Sequence, residues 1–174
     1  MGRTVRIVGA PTDYGADRRG VDMGPSAIRY AGLESHVESA GLECADWGNL
    51  EVPIVERAAE PPADDHVKFI EETEAVCTQL ADVVADILDA GEFPLVLGGD
   101  HSISIGSIGG SSRGADLGVL WFDAHGDYNT PATSPSGNIH GMTLAAALGH
   151  GAFAEEAWAH APGFAEENLV WVGL

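Results

Sequence analysis

The sequence predicts an α/β protein: a three-layer α-β-α architecture around a mostly parallel sheet. Three observations carry this reading. Short runs that are apolar over their whole length recur along the chain, stretches of helical character separate them, and clusters of polar residues fall directly after two of the runs. Strands apolar throughout are buried on both faces, and buried strands alternating with helices belong to right-handed βαβ units rather than to hairpins.

Residues 4–9 form a β-branched run closed by Gly9 and Pro11, which reads as the first strand, and the polar, glycine-rich residues 12–24 read as the loop after it. Pro25 has the fixed φ of a first helical turn, so a helix is expected to begin there and run towards Leu33 or beyond. Residues 43–47 read as another short strand. Residues 64–90 contain neither Pro nor Gly, and Val67, Ile70, Leu80, Val83, Ile87 and Leu88 fall mostly on one helical face, so a long helix is expected there. Gly91 stops it. Residues 93–97 are a continuous apolar run ending in Gly98 and Gly99, helix resumes from Ser102, and residues 117–122 are a second apolar run. Residues 140–148 look helical and 168–173 look like one more strand. With 174 residues and no internal repeat, one domain over 1–174 is expected.

Twenty-seven acidic side chains against 8 basic ones give a formal net charge of -19. Such a surface repels phosphate backbones and anionic lipid, which excludes nucleic acid and membranes as partners. The hydrophobic fraction of 45% is too high for a disordered acidic tail, so the chain folds. Dense carboxylates suit a salt-rich cytoplasm, where screening removes their self-repulsion, and salt adaptation is the expectation. Cys44 and Cys77 show no CxxC spacing and read as buried thiols. Residues 1–10 pass from two arginines into a short apolar strand without a signal-like stretch, so a cytoplasmic location is expected.

In an open parallel sheet, ligands gather beyond the carboxyl ends of the strands. Gly98, Gly99, Asp100, His101 and Ser102 follow the strand at 93–97, and the glycines permit the sharp turn that presents an imidazole. Asp123, Ala124, His125, Gly126 and Asp127 follow the strand at 117–122. Alone, His101 reads as a hydrogen-bonded loop histidine and Asp100 as a turn former. Two carboxylates this close repel, and a divalent cation resolves both the repulsion and the cost of burying them. Oxygen and imidazole donors without thiolates suit Mn, Fe, Zn or Co, and carboxylate-rich six-coordinate sites favour Mn. A third stretch, Asn129 to Pro131 and then Ser136, Gly137, Asn138, Ile139, His140 and Gly141, reads either as an ordinary loop with a helix cap or, beside the proposed metals, as substrate-binding.

GGDHS at 98–102, DAHGDYNTP at 123–131 and SGNIHGM at 136–142, with the opening GADRRGVDMGPSAIRYAGL at 15–33, resemble the ureohydrolase family and, more narrowly, the arginases over the whole chain. The resemblance implies hydrolysis of the guanidinium group of arginine to ornithine and urea by two Mn²⁺ ions. It implies that His101 and Asp127 hold one ion, that His125 holds the other, and that Asp123 bridges both. It gives His140 the transfer of protons to the leaving amine, and Asn129, Ser136 and Asn138 the substrate's α-carboxylate. That last trio favours arginine over the runner-up, agmatine, while Thr143, Tyr128 and Gly126 depart from commoner family choices. The family's remaining two aspartates come from an Asp-x-Asp motif on a later strand, so the chain is expected to be an N-terminal fragment. If it truly ends at Leu174, the other reading is a non-catalytic binding module. When complete, a homo-oligomer, trimer or hexamer, is implied.

Overall fold

The computed structural model describes residues 3–55 and 67–174. Strands β1 (Val5–Ala10), β2 (Cys44–Asn49), β3 (Phe93–Gly98), β4 (Leu117–Phe122) and β5 (Phe164–Val172) are joined mainly by helices α1 (Gly24–Tyr30), α2 (Leu33–Ser39), α3 (Ile70–Asp89), α4 (Ile103–Ser111) and α5 (Thr143–Ala147). Every strand pair is parallel, with Val8 opposite Val96 and Trp121 opposite Trp171. Parallel strands flanked by helices are the expected class.

The sheet, however, comes in two parts, ordered β2-β1-β3 and β4-β5. The crossover through α4 sets β4 beside β5 and not beside β3. Only one face of β4 is therefore well covered: Trp121 is buried, while Leu120 and Phe122 stand 67% and 73% exposed. Uniform apolarity along residues 117–122 marked the strand correctly but not its surroundings. β5 starts earlier than residue 168, because Phe164 is buried and pairs with Leu117.

Gly32, at φ 90°, divides the helix expected to run from Pro25 through Leu33 into α1 and α2. The expected start of the long helix, residues 64–66, lies outside the described residues. Phe69 sits at φ 52° immediately before α3, so Val67 packs into the core from a turn rather than from the helix. Ile139–Met142 is a 3₁₀ turn leading into α5, which divides the helix expected over 140–148. Cys77 is fully buried, its thiol pushed up to about 12 by that burial, whereas Cys44 is only partly covered. No helix among the described residues is long and apolar enough to cross a membrane.

α3 buries Val76, Cys77, Leu80, Ala81, Val84 and Ile87, and Val76, Leu80, Val84 and Ile87 pack with Val8 and Ala10 of β1. Glycines let α4 approach it: a Cβ at Gly106 would lie 2.6 Å from the Cys77 carbonyl oxygen, and one at Gly110 would lie 2.4 Å from that of Ala81. At the other end of the sheet Arg29 of α1 grips β2. Its Nε and Nη2 reach the Asp46 carboxylate at 2.6 and 2.8 Å, and its Nη1 reaches Asn49 Oδ1 at 2.6 Å. Hydrogen bonds from that guanidinium hold the Asp46 carboxyl below its ordinary range.

Gly110→Ala is expected to destabilise the protein by about 1–3 kcal/mol in urea titration, since backbone and not a side chain blocks the new methyl. Gly109→Ala, whose Cβ would meet only Ala81 Cβ at 3.8 Å, should be neutral or gain up to about 1 kcal/mol from helix propensity. Asp46→Asn should cost on the order of 1 kcal/mol near neutrality, the scale of a partly exposed pair. Because the folded carboxyl titrates below its unfolded value of 3.8, its contribution is complete above that value. It is lost as pH falls through the lower folded value, so the stabilities of wild type and variant should converge only in strong acid.

Candidate metal centre

The carboxyl ends of β3 and β4 deliver the two acidic clusters to one place. His101 leaves the turn after β3, Asp123 directly follows β4, and Asp127 lies four residues further on. His101 Nδ1 stands 3.1 Å from Asp123 Oδ2 and 2.8 Å from Asp127 Oδ2. All three side chains can direct a donor atom at one point, the donor atoms lying within 4.8 Å of one another. Asp127 adopts φ 46°, a conformation aspartate tolerates better than most residues, and its carbonyl accepts the Leu144 amide at 3.0 Å at the start of α5. Trp121 stacks on the His101 ring with centroids 4.6 Å apart.

A nitrogen carrying one hydrogen can satisfy only one of two facing carboxylates. The buried Asp127 Oδ2 has no well-formed hydrogen bond. Lone pairs converging on a common point repel unless a proton or a cation sits among them. Burial opposes the charged form of His101, but Asp127, Asp123 and Asp100 outweigh it and leave the imidazole pKa raised. Asp123 is lowered despite its burial, because the amide and ring of His125 hydrogen-bond to it and both imidazoles favour its charge. These hard oxygen and imidazole donors fit a divalent transition ion.

His125 stands apart from this trio. Its side chain is 81% exposed, and its Nδ1 contacts the other oxygen of Asp123, Oδ1, at 2.9 Å. Asp123 thus spans two imidazoles, one on each oxygen. The half-buried His140 lies in the 3₁₀ turn before α5, its amide donating to the Gly15 carbonyl at 3.1 Å. Asn129 and Ser136 are exposed, with the Asn129 amide donating to Gly141 O at 3.2 Å and Ser136 Oγ accepting the Asn138 amide at 3.2 Å. Asn138 Nδ2 donates to Ala16 O at 2.9 Å, while its Oδ1 is buried without a partner.

Two contributors escape sequence reasoning. Asp100, which taken singly reads as a turn former, does form that turn by accepting the Ser102 amide at 2.8 Å, but it is also 5% exposed and accepts the distant Gly15 amide at 3.0 Å. Burial raises its pKa against those hydrogen bonds and the nearby His140. Tyr128 hydrogen-bonds Glu166 and His150, and burial with the Glu166 carboxylate pushes its phenol up to about 12. The aromatic just before the end of the 117–122 run was the available signal for Trp121, and the turn at 98–102 marked Asp100 but not its bond to Gly15.

Fold and cluster together define the class of α/β proteins with a candidate cation site at the carboxyl edge of a parallel sheet. The Arginase family model matches residues 3–174. The chain is 54% identical over 152 residues to an arginase of Brevibacillus brevis, covering 87% of this chain and 50% of that one. Arginase from Bacillus caldovelox superposes with a TM-score of 0.89 at 43% identity, over 99% of this chain and 58% of that one. Entamoeba histolytica arginase in complex with L-ornithine superposes with a TM-score of 0.85 at 31% identity, over 100% and 59%. This chain belongs to the arginase family. It spans about half the length of the curated relatives it matches.

Inductively coupled plasma mass spectrometry after loading with Mn²⁺ should find stoichiometric metal lost from His101→Ala and Asp127→Ala. It should be retained in Asp82→Ala, which removes only an exposed partner of Arg113. Equal retention in all three would remove the centre from this cluster.

Proposed function

We propose that this chain forms the greater part of an arginase active site: with the continuation its relatives possess, it hydrolyses L-arginine and water to L-ornithine and urea. The observation that carries the proposal is the convergence of His101, Asp123 and Asp127 from two strand ends in a member of the arginase family. The ornithine held by the Entamoeba relative supports arginine as substrate, ornithine being the amine product of its hydrolysis.

His101 and Asp127 would hold one Mn²⁺ and His125 the second, with Asp123 shared between them. The placement of Asp123, one oxygen towards each imidazole, supports the sharing. Two aspartates from a later strand would complete the pair. When bound, such ions supply Lewis acidity that makes water a competent nucleophile at neutral pH. The protein's own residues do the rest. Asp123 and Asp127 fix the negative side of the site, and the low-dielectric wall formed by Trp121 strengthens every charge interaction beside it.

His140 would pass a proton to the amine that leaves as ornithine, a role to which an imidazole, able to hold and release a proton, is suited. Asn129, Ser136 and Asn138 would take the α-carboxylate. The exposed Ser136 hydroxyl, which accepts the Asn138 amide and retains its own O–H for donation, supports this. A hydroxyl and amides that satisfy a carboxylate are wasted on agmatine, which lacks one, and this selects arginine. A cytoplasmic, salt-adapted homo-oligomer, trimer or hexamer, is the assembly we propose for the completed protein.

The test is an assay of the protein extended to its relatives' length, with arginine and agmatine in parallel, with and without Mn²⁺, at low and high salt. Urea should appear from arginine, depend on the metal, and fall by about 10²–10⁴-fold in His140→Ala with metal content intact. A preference for agmatine, or equal metal loss in the His125→Ala and His140→Ala variants, would overturn the assigned roles.

A further inference from the structure

The loops after β1 and β3, set side by side by the pairing of those strands, meet on one buried carboxylate, and the turn at 137–141 joins them through Gly15. Asp100 accepts the Gly15 amide on Oδ2 and the Ser102 amide on Oδ1, and its own amide donates to Thr12 O at 2.9 Å. The Gly15 carbonyl in turn accepts the His140 amide at 3.1 Å. Gly15 is therefore held at both of its polar groups, by Asp100 on one side and His140 on the other. The fit leaves no slack: a Cβ at Gly15 would lie 2.4 Å from Asp100 Oδ1 and 2.7 Å from Ser102 Oγ. The same loop is laced to the 137–141 turn twice more, by Asn138 Nδ2 to Ala16 O and, through Lys68, by its amide to Gly137 O and its ammonium to Asp17 at 2.8 Å.

We infer that Asp100 is a positioning residue that sets His140 relative to His101 by way of Gly15. Covalent connection places His101 next to Asp100, and two hydrogen bonds through one glycine connect Asp100 to His140. The carboxylate thereby helps to set the spacing between a candidate metal ligand and the candidate proton carrier, acting through Gly15 rather than through its own contact with His140. Two acceptor oxygens facing two N–H groups are required. An amide in its place supplies one acceptor and turns an NH₂ group against the other N–H. The inference rests on the proposed role of His140 in arginine hydrolysis.

The test compares wild type, Asp100→Asn, Gly15→Ala and the double variant in the Mn²⁺-loaded, extended protein, reading kcat, KM, metal content and thermal melting. Asp100→Asn should lower kcat by about 10–100-fold, the usual penalty for losing an outer partner, with KM and metal stoichiometry unchanged. Gly15→Ala should show the same signature, and the double variant should be no slower than the slower single, because both break one chain of contacts. A kcat within twofold of wild type in folded Asp100→Asn, or additive losses in the double variant, overturns the inference. Metal loss in step with kcat would place the effect at His101 and overturn it too. Loss of cooperative melting in both singles would make Asp100 merely structural. A wild type that releases no urea from arginine refutes the proposed function instead, and is thereby distinguishable.

Discussion

Because β1 pairs with β2 and β3, and β4 with β5, always in the same direction, every strand releases its chain at the same edge. The rest of the molecule follows from that constraint. Ala10 lies opposite Gly98, so the loop after β1 and the turn after β3 leave side by side, which is how Thr12 and Gly15 come to meet Asp100. Phe122 lies opposite Val172, so Asp123 emerges where its amide bonds the Val172 carbonyl at 3.1 Å and its carboxylate turns towards His101. Charge accumulates there by topology, and residue type then decides what the charge does.

The chemistry of that edge needs rigid support, because a carboxylate displaced by an ångström no longer shares its target. Support comes from two sides. Beneath, α4 lies against α3 so closely that Gly106 and Gly110 are the only side-chain size their positions admit. Beside the site, Trp121 lies flat on His101, and the Tyr128 hydroxyl bonds to Glu166 and His150, which also contact each other at 2.9 Å. Those hydrogen bonds anchor the residue that follows Asp127, whose positive φ is stable only while its neighbours hold it.

Most elements were legible because each imposes a local pattern. The run at 117–122 matches β4 at both ends, and the turn at Gly91 closes α3 as expected, with φ 76°. Errors fall where the deciding contact is distant. Gly32 reads as an ordinary helix residue until its φ is known, and the start of β5 is hidden because Glu166 and Glu167 are strand residues facing solvent. Parallel strands between helices were legible from these runs, although apolar strands do not say which of their neighbours they pair with. In the site, His101, Asp123 and Asp127 were readable as polar residues at strand ends. His125 belongs to the same cluster in sequence, yet its ring turns outward to the far oxygen of Asp123. At Asp100 the turn to Ser102 was readable, whereas its bond to the Gly15 amide, 85 residues away, was not.

The division of the sheet gives the acidic cluster a mechanical meaning. His101 belongs to the half built on β1 and β3, whereas Asp123 and Asp127 belong to the half built on β4. No backbone ladder joins the halves among the described residues, and a two-stranded parallel ribbon is weak by itself. A cation gripped by all three groups would tie the two part-sheets of this chain to each other through side chains where no backbone ladder does, so that ion binding would add to the cohesion between them.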